Sequence, residues 1–342
     1  MDGVTVTSPA QTADIDDILV IRGLTTEFRG RNTRIRANDD IHLAIRRGTT
    51  LGIVGESGSG KSVLCRSILR LLPPSADPQV SGAVEYDGRD LLRLGEAEMR
   101  RLRGTELRMV FQNPMTSLNP VWPIGDQITE GLRVYGGLSG AEARAKGIEL
   151  LGRVGIPSPE RRFDEYPFQW SGGMLQRAVI AMAMAGSPKL LFADEPTTAL
   201  DVTIQDQILA LLLELQERTG MTLVLVSHDL AVVAETCDRI AVMYAGRIVE
   251  TAPTRSIFRA PRHPYTLGLL GSTPHVAAGA SRLTPIPGQP PDLAQLGPGC
   301  PFAPRCGFAS SDCTTTPVRL ASVGTDHQSA CLHPERIARA AA

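Results

Sequence analysis

The chain has 342 residues, and its 35 Lys and Arg against 36 Asp and Glu leave a formal net charge of −1 at pH 7. This length suits a catalytic domain of about 250 residues with an appendage, and the charge balance gives no basic excess of the kind that marks a nucleic-acid binder. Asp2, Asp14, Asp16 and Asp17 stand where a signal peptide would be basic and then apolar, and no apolar run approaches the ~18 to 20 residues that span a bilayer, so a cytosolic location is expected.

Residues 1–17 read as a loose polar tail. From Ile18 to Gly48, short apolar alternations predict antiparallel strands, and Thr50–Val54 predicts a buried strand running into a glycine-rich turn. Helical periodicity covers Ser62–Leu72, ended by Pro73 and Pro74. Val80–Tyr86 with Asp87 and Gly88 predicts a strand and turn, and Leu107–Phe111 another strand. Residues 113–170 predict a mainly helical insertion, with Ala141–Val154 amphipathic. Beyond it Leu190–Ala193 and Leu223–Val226 predict buried strands, each preceded by a helix, as in a largely parallel sheet covered on both faces. Of 25 prolines, 12 fall from Pro261 onward, so that end is expected to be extended or turn-like, an appendage and not a continuation of the sheet. No tandem repeat is visible.

Gly55-Glu56-Ser57-Gly58-Ser59-Gly60-Lys61-Ser62 matches GxxxxGK[ST] between a strand and a helix. Such a turn aims successive N–H groups inward and adds a helix N-terminus, which together bind phosphate oxygens. Lys61 is placed for the β- and γ-phosphates of ATP and Ser62 for Mg²⁺. The strand Leu190–Ala193 delivers Asp194 and Glu195 to its C-terminal end, where α/β sheets bind ligands. Asp194 is expected to hold Mg²⁺, and Glu195 to polarise the attacking water. The bland alternatives are a solvated glycine turn and a surface acidic pair.

Trp170-Ser171-Gly172-Gly173-Met174-Leu175-Gln176-Arg177 resembles the LSGGQ signature of the ABC ATPases, with Trp170 for the usual Leu and Met174 for the usual Gln. That resemblance implies an α/β P-loop NTPase (ABC ATPase) core with an antiparallel β-subdomain, a helical subdomain at about 113–170 and a Pro/Cys-rich C-terminal extension. It also implies a head-to-tail dimer in which Ser171, Gly172 and Gly173 close on the γ-phosphate bound by the opposite cassette. Gln112 resembles the Q-loop glutamine that contacts Mg²⁺ and the attacking water. Ala199-Leu200-Asp201 resembles the D-loop, and His228 the switch histidine. Phe28 sits where the family stacks adenine, with a core Phe as the alternative, and Asn38 stands at a position that is commonly apolar.

Phe111–Pro120, Asp194–Thr203, His263-Pro264-Tyr265-Thr266 and the tail from Ile286 through Cys306 resemble the oligopeptide/dipeptide importer subfamily. On that basis residues 18–260 form the nucleotide-binding domain and 261–342 the subfamily's extension. The resemblance implies a second, related ABC ATPase subunit, two transmembrane permease subunits and an extracytoplasmic substrate-binding protein, with this chain peripheral on the cytoplasmic face of the membrane. Nickel, opine and glutathione importers share the cassette type, and a soluble ABC ATPase acting on nucleic acid is the remaining rival. Cys65 and Cys237 read as buried small hydrophobes. Cys300, Cys306, Cys313 and Cys331, separated by five, six and seventeen residues, lack the tight CxxC pairs of zinc sites. The resemblance implies a [4Fe-4S] cluster there; zinc and free thiols are the alternatives.

Overall fold

The computed structural model describes residues 16–30, 33–198, 200–273 and 285–340. Of the tail expected over 1–17, residues 1–15 lie outside them, as does Ala199 of the D-loop motif, while Asp17 already belongs to a strand.

Two sheets form. In the first, β1 (Asp17–Arg29) pairs antiparallel with β2 (Arg34–Arg46) on one side. The second sheet starts with β3 (Thr50–Val54), while β4 (Pro78–Tyr86) and the short β5 (Arg89–Asp90) complete the first in the order β2-β1-β4-β5. The β4–β5 turn is Asp87-Gly88, both with positive φ, the backbone that tight hairpins require.

The second sheet adds β6 (Leu107–Val110), β7 (Leu190–Asp194), β8 (Thr222–Ser227), β9 (Arg239–Tyr244) and β10 (Arg247–Pro253). Its last members are β11 (Ala321–Gly324) and β12 (His327–Ser329), and the order is β11-β12-β10-β9-β3-β8-β7-β6. From β9 to β6 the pairing is parallel throughout. β3 and β7 are buried at every residue, as strands covered on both faces must be, and this explains their unbroken apolar sequence. The C-terminal ends of β3, β8, β7 and β6 therefore open on the same edge of the sheet.

Three expectations need correction. The helix after the glycine turn spans Lys61–Ile68, not Ser62–Leu72, because Arg70 adopts a left-handed backbone and closes it. The extension contains a helix, Pro264–Gly271. It also continues the sheet: β12 pairs with β10 through Glu250–Ser329 and Thr251–Gln328, and β11 pairs with β12. An open β10 edge would leave its N–H and C=O groups unpaired. The join is fixed by Glu250, fully buried, whose carboxylate accepts the N–H groups of Arg262 (2.6 Å) and His263 (2.9 Å) and lies 2.7 Å from His327 Nε2.

The insertion is helical as expected, with Ile124–Val134 and Gly140–Arg153 as its main elements. A capping box between Ser139 and Glu142 starts the second. Both pack on the helix Gly172–Met184.

Candidate functional site

The turn after β3 is shaped by close approach. A Cβ on Gly60, at φ 100°, would be driven into the Ala37 carbonyl oxygen and one on Gly55 into that of Met243, so only glycine fits either place. Asn38 is fully buried and its amide donates to the Gly60 carbonyl at 3.1 Å. A polar residue at this commonly apolar position thus braces the turn from behind.

Lys61 is buried, and its ammonium donates to the carbonyls of Gly55 (2.8 Å) and Glu56 (3.1 Å), curling inside the loop it belongs to. Desolvation lowers its pKa, opposed by the charges of Glu195, Asp194 and Glu56. Ser62 donates its hydroxyl proton to Asp194 Oδ1 at 2.8 Å. Asp194 is buried at the end of β7, and its other oxygen, Oδ2, has no hydrogen-bond partner. Burial raises the pKa of this carboxyl, against the Ser62 hydrogen bond. A buried carboxylate oxygen without a partner, beside a hydroxyl, is the donor set a hard divalent cation takes, so these residues fit Mg²⁺.

Glu195 follows at φ 46°, a left-handed backbone that is unusual outside glycine and turns its side chain out over the edge. Its Oε2 accepts the Gln112 amide (2.9 Å) and the Thr198 hydroxyl (2.9 Å), and lies 3.5 Å from His228 Nδ1. The loops after β6, β7 and β8 therefore converge on one carboxylate. Gln112, Glu195 and His228 come together as the sequence reading expected. Thr198 was missed as a member of this group, although it stands in the same quoted motif.

Ser171 caps the helix Gly172–Met184, accepting the Met174 N–H at 3.4 Å. Trp170 is buried, and its indole N–H donates to Glu165 Oε2 at 2.9 Å, so the bulky residue is accommodated inside the helical subdomain. Among the described residues no hydrogen bond joins Ser171, Gly172 or Gly173 to residues 55–62. Within one chain the signature and the phosphate loop are separate surfaces. Asp201 precedes the helix Val202–Thr219 and is exposed. Phe28 is half-buried near the end of β1, opposite Ile35 and Pro78, and stands outside both core clusters.

Cys300, Cys306, Cys313 and Cys331 are free thiols that line one small apolar cavity with Phe302, Phe308 and His333. Burial pushes the Cys300 thiol up and Cys331 to about 11, and the neighbouring thiols add to both. Ligand atoms of Asp312, Cys313 and His333 also lie within 4.8 Å of one another. Cysteines 6 to 31 positions apart thus line one cavity, and four thiols around an apolar shell fit a thiolate-bound metal group.

The motif His263–Thr266 proves structural. His263 Nδ1 accepts the Tyr265 N–H at 3.1 Å and caps the helix Pro264–Gly271, with Pro264 at its first turn. No helix among the described residues is long and apolar enough to cross a membrane.

A family profile described as ABC transporter matches residues 38–198, and one described as oligopeptide/dipeptide transporter, C-terminal region, matches residues 249–313. A Brucella melitensis protein named as a peptide import ATP-binding protein is 51% identical over 332 residues, covering 94% of this chain and 98% of that one. A Sinorhizobium fredii protein named as a peptide ABC transporter ATP-binding protein is 50% identical over 317 residues, covering 92% and 95%. Among solved structures, the ATP-binding cassette MJ0796, a dimer in a post-hydrolysis state with ADP and phosphate, aligns with a TM-score of 0.62 at 30% identity, covering 69% of this chain and 99% of that one. The cbiO1 cassette of Clostridium perfringens, part of the transporter complex cbiONQ, aligns at 0.61 and 28%, covering 71% and 91%.

Proposed function

The chain belongs to the ABC transporter ATPases, as a peptide-import ATP-binding subunit, and from that premise we propose how its own residues bind and cleave ATP. The protein couples ATP hydrolysis to transport. The observation that carries the mechanism is the meeting of Lys61, Ser62, Asp194, Glu195, Gln112 and His228 at one edge of the parallel strands.

Backbone N–H groups of Gly55, Glu56, Ser57, Gly58, Ser59, Gly60, Lys61 and Ser62 form the phosphate cradle, apart from any already engaged within the fold. The Lys61 ammonium exchanges its two carbonyl partners for phosphate oxygens. Ser62 and Asp194, with Gln112 nearby, would hold Mg²⁺, which would supply neutralisation of the phosphate charge. Glu195 accepts the proton of the water that attacks the γ-phosphorus in line, and the bond to the bridging oxygen breaks to release ADP. Gln112, Thr198 and His228 keep the Glu195 carboxylate aimed at that water, and His228 also reaches the γ-phosphate. Phe28 stacks on adenine.

The second half of the site comes from another ATPase subunit, whose Ser171–Gly173 equivalent caps the γ-phosphate while Asp201 crosses the interface. The separation of these surfaces within one chain and the dimeric state of MJ0796 support this reading. The partner is a related subunit, with two permease subunits and an extracytoplasmic binding protein completing the importer, and the cassette sits peripherally on the cytoplasmic face. Exposed Met115, Val121, Trp122 and Phe168 on the helical subdomain suit docking of a permease's cytoplasmic helix. Cys300, Cys306, Cys313 and Cys331 hold a [4Fe-4S] cluster whose role is structural or redox-regulatory, since phosphoryl transfer uses no electron carrier.

The test is the assembled complex in proteoliposomes with its binding protein. Short peptides should stimulate Mg²⁺-dependent ATP hydrolysis and be taken up, and Lys61→Ala should abolish both. Stimulation by nickel, an opine or glutathione with no response to peptides would overturn the peptide assignment. Uptake that persists in Lys61→Ala would overturn the energising role.

A further inference from the structure

We propose that the C-terminal extension positions the phosphate loop, through Arg305 and Tyr265 acting on Glu56, so that high ATP affinity depends on residues 209 and 249 positions downstream. This rests on the reading of residues 55–62 as the ATP site.

Glu56 is the first residue of the turn after Gly55, and each of its polar groups is engaged. Its N–H donates to Tyr265 Oη at 2.8 Å. Its carbonyl accepts the Lys61 ammonium at 3.1 Å and the Ser59 N–H at 3.2 Å. Its carboxylate accepts both terminal nitrogens of Arg305, at 2.6 and 2.9 Å. Because its N–H is already spent on Tyr265, Glu56 anchors the loop while later residues present theirs to phosphate. Lys61 shares the Glu56 carbonyl, so a displaced Glu56 also displaces the loop's cation.

The anchor itself is rigid. The Arg305 side chain is 5% exposed. Its Nε donates to the Pro287 carbonyl at 2.8 Å and Nη1 reaches Tyr244 Oη at 3.3 Å. Its guanidinium carbon lies 5.8 Å from the Tyr244 ring centroid and 5.9 Å from that of Phe302. Tyr244, Tyr265 and Phe302 pack as a triangle with centroids 4.6, 5.3 and 5.4 Å apart. A planar fork making four hydrogen bonds to Pro287, Tyr244 and Glu56 holds a bidentate carboxylate in a way that a flexible ammonium does not. Arg305 also lies between Cys300 and Cys306, so the thiol-rich segment is the arm that carries the anchor.

Arg305 and Tyr265 are positioning residues: neither needs to touch nucleotide. Losing the anchor lets the loop leave its binding-competent shape, and apparent affinity falls by the fraction of time it does so. Chemistry in the bound state, where phosphate itself orders the loop, should change little.

The experiment uses the full-length chain in the assembled transporter, with KM for MgATP and kcat measured for wild type, Arg305→Gln, Arg305→Lys, Glu56→Gln and Glu56→Gln/Arg305→Gln. Arg305→Gln should raise KM roughly tenfold, a loss of the size expected for hydrogen bonds to a charged group, with kcat within about twofold. Arg305→Lys should fall between, and the double variant should be no worse than the poorer single one because both act through one contact. If Arg305→Gln yields no intact complex, Arg305→Lys and Glu56→Gln carry the comparison. Wild-type KM in those variants, or a kcat loss without a KM change, refutes the positioning role while leaving the ATPase reading intact. A wild-type complex that hydrolyses no ATP would instead refute the reading beneath it.

Discussion

Glu195→Gln removes the proton acceptor while sparing most of its surroundings. The Thr198 hydroxyl and the Gln112 amide both lie 2.9 Å from Oε2, and both can still donate to that position when it is the amide oxygen of Gln. Fold and ATP binding should therefore survive. A positioned general base contributes about 10² to 10⁴ in rate, or about 2.7 to 5.5 kcal/mol at ~1.36 kcal/mol per decade. Phosphate release by the assembled complex at saturating MgATP should fall by that factor, whereas binding of a fluorescent ATP analogue should stay within about threefold, under 0.7 kcal/mol. The other ATPase subunit should carry its matching substitution, so that its turnover does not mask the loss. Turnover within twofold of wild type in that doubly substituted complex would refute Glu195 as the base.

Glu250→Ala strips the acceptor from the N–H groups of Arg262 and His263 and from His327. At about 1–3 kcal/mol for each orphaned buried group, the extension should loosen from the β10 edge, and limited proteolysis should then cut after residue 260 where it spares the wild type. Trp170→Ala should cost about 3–5 kcal/mol from lost burial and the cavity left behind, read as a lower urea midpoint, because the ring is buried and its N–H bonds Glu165. Anaerobic purification should yield iron and acid-labile sulfide with visible absorption. Cys331→Ser should lower both, and zinc without sulfide would reassign the four thiols.

How far the chain could be read locally depends on how far apart its interacting residues lie. The phosphate loop was legible because eight consecutive residues carry it and its flanks declare a strand and a helix. Asp194 and Glu195 were legible because they end a short apolar run, Gln112 and His228 through the resemblance to the family's motifs, and parallel strands bring those ends together. The Asp194–Ser62 bond spans 132 positions and the Gln112–Glu195 bond 83, yet both follow once the strand order is granted. The extension was read less well: its prolines predicted turns correctly, but a three-residue strand such as β12 has no periodicity to betray it.

The sequence by itself determined the family and the glycine-rich turn of residues 55–62, since these reside in contiguous motifs whose backbone shape is dictated by their own glycines and caps. Tertiary structure alone decided that Thr198 joins the Glu195 group, that Asn38 braces Gly60, that the four late cysteines share one cavity and that Arg305 grips Glu56. In GxxxxGK the second position is free, so nothing marks Glu56 as special, and Arg305 stands amid cysteines and prolines with no local pattern. A part-buried ion pair between residues 249 positions apart exists only because β9 and the aromatic triangle bring the extension against the phosphate loop.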